Sequence, residues 1–298
     1  MKRLAACSKQ SRKSVSDNGK QDSPSPSSPV RVAAVQMNSG DNLDQNLELA
    51  ARLLAEAAAD GCALAVLPEN FPFMGARGKD KLQHAEEPGA GPIQDFLADT
   101  ARNNKLWIIS GSIPLRSSDP GRCYGATLVV DADGNTQNCY RKIHLFDVDL
   151  PDRDERYRES ASMMPGDELV VQDTPVGCVG LSICYDLRFP ELYRKLVEMG
   201  AVVLSVPAAF TFVTGTAHWH TLLKARAIEN LAYVIAPGQF GQHSDGRTTY
   251  GHSLIIDPWG RILAEAAEGN CVITSDLDPG LPQELRREFP ALSHRVFK

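Results

Sequence analysis

Three short segments carry residues that could together perform nucleophilic acyl transfer. Glu69 stands in Leu67-Pro68-Glu69-Asn70, Lys142 in Tyr140-Arg141-Lys142-Ile143-His144, and Cys184 in Ser182-Ile183-Cys184-Tyr185-Asp186. A thiol becomes a nucleophile when a base takes its proton, and a desolvated carboxylate can be that base. The tetrahedral intermediate of acyl transfer then needs positive donors for its oxyanion, which an ammonium and a backbone N–H supply. Glu, Lys and Cys therefore cover base, oxyanion stabiliser and nucleophile without a histidine.

Taken singly, the same residues say less. A Glu after a strand is usually a solvated loop charge or ion-pair partner, and a Lys in a polar turn is ordinarily surface. Cys62, Cys123, Cys139 and Cys178 lie in apolar runs and read as inert packing. Cys184 differs because its apolar run stops there, just before a helix expected from Phe189 to Met199. The helix dipole and a nearby lysine would both favour the thiolate.

The elements that must position these groups follow from periodicity. Arg31–Met37 is a short apolar run with β-branched residues and reads as a strand. Leu43, Leu47, Ala50, Leu54 and Ala57 then stripe one face of a helix over 41–60, with Asp41 as N-cap and Gly61 at its end. Ala63–Leu67 is a strand that runs into Glu69. Helix is expected over 92–104 and strand over 106–113, and Asp133-Gly134 joins a hairpin of 123–131 and 135–141 that leads to Lys142. Strands at 176–184, 201–206, 232–236, 249–257, 260–266 and 271–276 alternate with helices at 189–199 and 216–230, and 280–289 closes as a charged helix. Alternating strands and helices place the chain in the α/β class.

Composition limits the alternatives. With 298 residues, 43% of them hydrophobic, the chain can bury one α/β domain plus a tail. A net charge of −6 with interleaved signs gives no basic stripe for nucleic acid, and no apolar run approaches membrane-spanning length. Seven cysteines, an odd number without a C-x-x-C pair, fit a reducing, cytoplasmic setting. Residues 1–30 are rich in Ser, Lys and Pro and read as a disordered polar tail, with the domain spanning 31–298. Leu4-Ala5-Ala6-Cys7 looks like a lipoprotein cleavage site but lacks the preceding apolar stretch, and Asp17 and Asp22 oppose an organelle transit peptide.

The segments LPEN, YRKIHLFD and SICYDLRFPEL, in this order and spacing, resemble the three signature blocks of the nitrilase (carbon–nitrogen hydrolase) superfamily, over about residues 31 to 297. The resemblance implies a four-layer α-β-β-α sandwich, a Glu69-Lys142-Cys184 triad, no cofactor, a small-molecule amide substrate, and homodimers or larger oligomers. It also implies that Glu159 orients the lysine or the substrate amide, and that the Tyr185 N–H joins Lys142 at the oxyanion. Asn70-Phe71-Pro72-Phe73-Met74-Gly75 and the stretch from Lys142 to Gly166 are similar to the Nit-type amidases, nearer to the branch acting on deaminated glutathione than to the ω-amidases. Gly215–His220 and Tyr250–Ser253 match as well, although Glu is more usual where His220 stands.

Arg188 lies four residues past Cys184 and could grip a carboxylate on the acyl group, or instead pair with Glu191 or Asp186. Arg77 and Lys79 are further candidates for that duty. His218-Trp219-His220 invites a metal reading, but positions i and i+2 of a helix do not share a face, so no metal site is expected. Arg226 and Glu229, three apart on the same helix, should form an ion pair. The competing readings are a papain-like Cys-His hydrolase using His144 or His252, a nitrilase or N-carbamoyl hydrolase with the same triad, and a non-catalytic binder or scaffold on this fold.

Overall fold

The computed structural model describes residues 28–297 apart from 76–77, 151–154 and 245. The polar tail expected over 1–30 lies almost wholly outside these residues, as does Arg77, and Val30 already belongs to the first strand.

That strand, Val30–Gln36, shows how one sequence pattern builds several layers. Its residues are buried on both faces: Val32 and Ala34 enter one core, Ala33 and Val35 another. This is the signature of a strand covered on both sides. It pairs in parallel with Leu64–Val66 and antiparallel with Cys271–Leu277. Trp107–Ile109, Cys123–Val130, Ile113–Arg116 and Thr136–Arg141 complete a seven-stranded sheet. A second, six-stranded sheet runs Ile262–Glu265, Leu254–Ile256, Tyr233–Ala236, Val203–Ser205, Gly177–Leu181, Val171–Thr174.

Helices α1 (Leu43–Ala59) and α2 (Pro92–Asn104) cover the first sheet, where Leu54, Ala57, Ile93 and Leu97 pack with Ala33, Val35 and Ala65. Helices α3 (Pro190–Glu198) and α4 (Phe212–Asn230) cover the second, with Leu192, Tyr193, Trp219 and Leu223 in one core with Val179, Leu204 and Val234. The same core takes in Val32, Val66 and Ile109 from the first sheet, so the two sheets stack. The result is the four-layer α-β-β-α sandwich. A short helix α5 (Leu281–Glu288) ends the fold.

Several local expectations change. Asn42, rather than Asp41, caps α1, because its side-chain oxygen reaches the Gln45 N–H at 3.0 Å. The run 106–113 is two strands, broken at Gly111, whose φ of +65° sets it against the Pro68 carbonyl where a side chain would collide. The run 249–257 is likewise split, at Gly251 and His252, both with positive φ. Helix α4 begins at Phe212 because Thr211 caps it by accepting from the Thr214 N–H. The antiparallel pair Asp147–Leu150 and Glu155–Arg158 was not foreseen, since its polar residues show little apolar alternation.

Candidate active site

Each of the three groups follows the carboxyl end of a strand, where open α/β sheets leave room for ligands. Glu69 comes after Leu64–Val66, Lys142 directly after Thr136–Arg141, and Cys184 after Gly177–Leu181. Two come from the first sheet and one from the second. All three line a single cleft of about 620 Å³, counted with its open mouth, together with Tyr185, Arg188 and Arg247.

Lysine 142 is the hub. Its Nζ donates to Glu69 Oε1 at 2.8 Å and to both oxygens of Glu159 at 2.9 Å. Lys142 and Glu69 are almost fully buried, 3% and 6% exposed at the side chain. Burial opposes the charge on Lys142, but the Glu159 and Glu69 carboxylates win and hold its ammonium well above the ordinary lysine range. Burial likewise opposes ionisation of Glu69, yet Lys142 beside it keeps the carboxyl below its usual value, with Lys81 and the Cys184 thiol adding to the effect. The second Glu69 oxygen accepts the Ala209 N–H at 2.8 Å. Glu159 also accepts the Phe146 N–H at 2.6 Å, so its position on the lysine is locked from the backbone.

Cys184 departs from the sequence expectation in one respect. Burial pushes its thiol well above the ordinary range, Glu69 raises it further by charge and hydrogen bond, and Lys142 only partly offsets them. The helix behind it does not lower it as expected: Cys184 opens a five-residue 3₁₀ turn, Cys184–Arg188, and α3 starts only at Pro190. Burial and the neighbouring Glu69 carboxylate therefore both work against the resting thiolate.

The turn is strained and heavily braced. Cys184 has φ +49°, a left-handed conformation costing roughly 1–3 kcal/mol for a non-glycine residue. Its N–H donates to Pro207 O at 2.9 Å. Asp186, fully buried, accepts from the Ile183 N–H at 2.8 Å and the Tyr140 hydroxyl at 2.7 Å, and meets His144 at its N–H (3.0 Å) and Nδ1 (2.7 Å). Arg226 donates twice to Leu187 O, at 3.1 and 2.7 Å, and pairs with Glu229 at 2.9 Å, the ion pair expected from their spacing. Tyr185 occupies the second position of the turn, where a backbone N–H has no partner within the turn itself.

Arg188 lines the cleft with its guanidinium over the rings of Phe210 (5.4 Å) and Tyr185 (5.9 Å) and 3.3 Å from His218 Nδ1. Among the described residues no carboxylate pairs with it, and Asp186 is committed to the turn; the alternative ion pair with Glu191 or Asp186 does not form. The Cys-His reading fails as well. His144 stacks on Phe189 at 3.6 Å and is bound to Asp186, His252 bonds Glu265, and no histidine is among the described residues lining the cleft. The bracing role of Asp186 went unread in the sequence, although its place three residues after Ile183 is a capping spacing. Lys81, which donates to Asn70 Oδ1 at 2.8 Å, had no sequence signal, nor had the Ala209 N–H.

His218 and His220 point apart, as expected for positions i and i+2: the first meets Arg188, the second Glu265. Six cysteines, Cys62, Cys123, Cys139, Cys178, Cys184 and Cys271, are free. Among the described residues no helix is long and apolar enough to cross a membrane.

The family model described as carbon-nitrogen hydrolase matches residues 31–287. The chain is 44% identical over 272 residues to a protein of Synechocystis sp. named deaminated glutathione amidase, covering 90% of this chain and 99% of that one. It is 40% identical to the protein of the same name from Bos taurus, over 89% of this chain and 81% of that one. The crystal structure of Saccharomyces cerevisiae Nit3, a member of branch 10 of the nitrilase superfamily, superposes with a TM-score of 0.81 at 32% identity, over 91% of this chain and 98% of that one. Fold, strand-end groups and relatives agree: the chain belongs to the carbon–nitrogen hydrolase family of the nitrilase superfamily, and is a hydrolase of carbon–nitrogen bonds other than peptide bonds.

Proposed function

We propose that the protein hydrolyses the amide of deaminated glutathione to 2-oxoglutarate and cysteinylglycine, with Cys184 as nucleophile, Glu69 as general acid–base and Lys142 as oxyanion donor. The observation that carries this reading is the Glu69–Lys142 contact on the floor of the cleft, with the Cys184 thiol on the same carboxylate. Glu69 takes the thiol proton as sulfur attacks the amide carbonyl, and Lys142 with the Tyr185 N–H receives the negative oxygen. The tetrahedral intermediate expels the amine, which leaves with the proton from Glu69, and a thioester remains. Glu69 then removes a proton from water as it adds to the thioester. Collapse frees the acid and returns the proton to sulfur. Glu159 does not touch the reacting atoms; it holds Lys142 in place.

Two arginines at the cleft, Arg188 and Arg247, suit an anionic substrate, and the Arg188 guanidinium would grip the carboxylate of a 2-oxoglutaryl group. The name shared by the Synechocystis and Bos taurus relatives supports the same substrate. Self-association is part of the proposal. Ile228, Trp259 and Phe289 are each about half exposed, Trp259 meets Phe289 edge-on at 5.9 Å, and a second copy would cover them. Six free cysteines fit a reducing compartment, the cytoplasm.

The test compares wild type with Cys184→Ala on deaminated glutathione, with 2-oxoglutaramate alongside. Wild type should release cysteinylglycine, and the variant should lose on the order of 10⁴-fold or more in kcat. Turnover surviving in Cys184→Ala removes Cys184 as nucleophile. Preference for 2-oxoglutaramate keeps the mechanism and moves the substrate to that of an ω-amidase.

A further inference from the structure

A second set of three functional groups converges outside the cleft. His220 on α4, His252 in the bend between Thr248–Tyr250 and Leu254–Ile256, and Glu265 at the end of Ile262–Glu265 come from three separate elements. Both imidazoles meet the same carboxylate oxygen: His220 Nε2 at 2.9 Å and His252 Nδ1 at 2.8 Å from Glu265 Oε1. The donor atoms lie within 4.8 Å of one another. We propose that His220 Nε2, His252 Nδ1 and a Glu265 oxygen form a binding site for one divalent zinc-like cation.

Chemistry and geometry both carry the assignment. Two neutral imidazoles and one carboxylate are a donor set for zinc and neighbouring late first-row ions, whereas magnesium and calcium prefer oxygen alone. A tetrahedral zinc with bonds of 2.0–2.1 Å separates its donors by about 3.4 Å. The Glu265 contacts of 2.8 and 2.9 Å are shorter and the donor atoms span up to 4.8 Å. The Glu265 oxygen must therefore withdraw by roughly half an ångström and the two rings must turn toward each other, each imidazole carrying its proton on the nitrogen that does not face the metal. Glu265 sits at a strand end, about a third exposed at its side chain, and has room to do so. Three protein ligands leave further coordination positions to water.

The His252 backbone is anchored before any ion arrives. His252 keeps φ +49°, its carbonyl accepts the Trp219 Nε1–H at 2.8 Å, and its ring stacks on Tyr250 with centroids 4.3 Å apart. His220 rides on a helix capped by Thr211. A strained, non-glycine conformation kept by its neighbours is the kind of local cost found at binding sites. The ion would tie α4 to the Leu254–Glu265 hairpin, next to Tyr250, whose N–H bonds Phe210 O in the cleft wall.

The experiment is a calorimetric titration of the full chain, purified without a histidine tag, with zinc chloride. Cys184→Ala, His220→Ala, His252→Ala and Glu265→Gln are titrated in parallel. The expected result is one zinc per chain, unchanged in Cys184→Ala and at least about tenfold weaker in the other three. The proposal is overturned if no saturable uptake occurs, if uptake is indifferent to His220 and Glu265, or if it vanishes with Cys184 alone. Should His252→Ala fail to fold because of its bend, His220→Ala, on the solvent-facing part of a helix, decides the matter.

Discussion

The cleft and the histidine cluster use one device, three titratable groups brought together from distant parts of the chain, in opposite surroundings. In the cleft, Lys142 sits between Glu69 and Glu159 at contacts of 2.8 and 2.9 Å, with all three side chains largely withdrawn from water. At the cluster, His220, His252 and Glu265 make contacts just as short but keep roughly a third or more of each side chain in solvent. Distance alone does not separate the two. Burial does, because a desolvated ion depends on its partner, whereas a wet one can exchange its partner for water or another ion.

The largest expected effect is at the hub. Lys142→Met should leave Glu69 and Glu159 buried without their cation, lowering stability by about 3–5 kcal/mol and turnover by roughly 10²–10³-fold. Urea unfolding and steady-state kinetics read the two effects separately. The sign with pH follows from the direction of the lysine shift. A pKa raised in the folded state gives stability that is complete below the ordinary lysine value, about 10.4, and fades as pH rises through the higher folded value. The gap between wild type and variant should thus persist through neutral pH. A Lys142→Met protein as stable as wild type would mean that the cleft is wetter than its geometry implies, and the contrast with the cluster would collapse.

Next in size is Arg188→Ala. Losing a charge-assisted grip on a substrate carboxylate should raise KM by about 10–100-fold for an acidic acyl group, with kcat much less affected. A neutral amide of similar size serves as control; equal losses on both substrates would make Arg188 a support for Tyr185 and Phe210 rather than a carboxylate anchor. The smallest effect is expected at the wet cluster. Without metal, Glu265→Gln should change stability by less than about 1 kcal/mol and leave hydrolysis intact, as for other solvent-exposed side-chain contacts. A loss comparable to that of Lys142→Met would show that the two regions differ less than their exposure indicates.

Much of the candidate site was legible because the proposed nucleophile, base and cation each carry a distinct residue type at a strand end. Glu69 and Cys184 stand out by composition against the apolar runs before them, Lys142 ends the second strand of a hairpin, and a strand leaves its following residue at the sheet edge. Arg226 and Glu229 were legible by helical spacing. The strand breaks at Gly111 and at Gly251-His252 were missed because apolar residues resume just beyond each, at Ile113 and Leu254; the collision at Pro68 and the positive φ angles reveal them. Asp186 was read as a possible partner of Arg188, and it became the brace of the turn because Tyr140 and His144 arrive from a different strand end.

From the residues alone came the α/β alternation, the three strand-end groups and, by resemblance, the sandwich that holds them. The tertiary structure decided what depends on distance and water. It put Glu159 on the lysine, raised the Cys184 thiol by burying it beside Glu69, and left Arg188 without a carboxylate among the described residues. It also gathered His220, His252 and Glu265, which no spacing along the chain connects. Residue type and period are local properties of a sequence, whereas desolvation and the meeting of side chains exist only once the layers have packed.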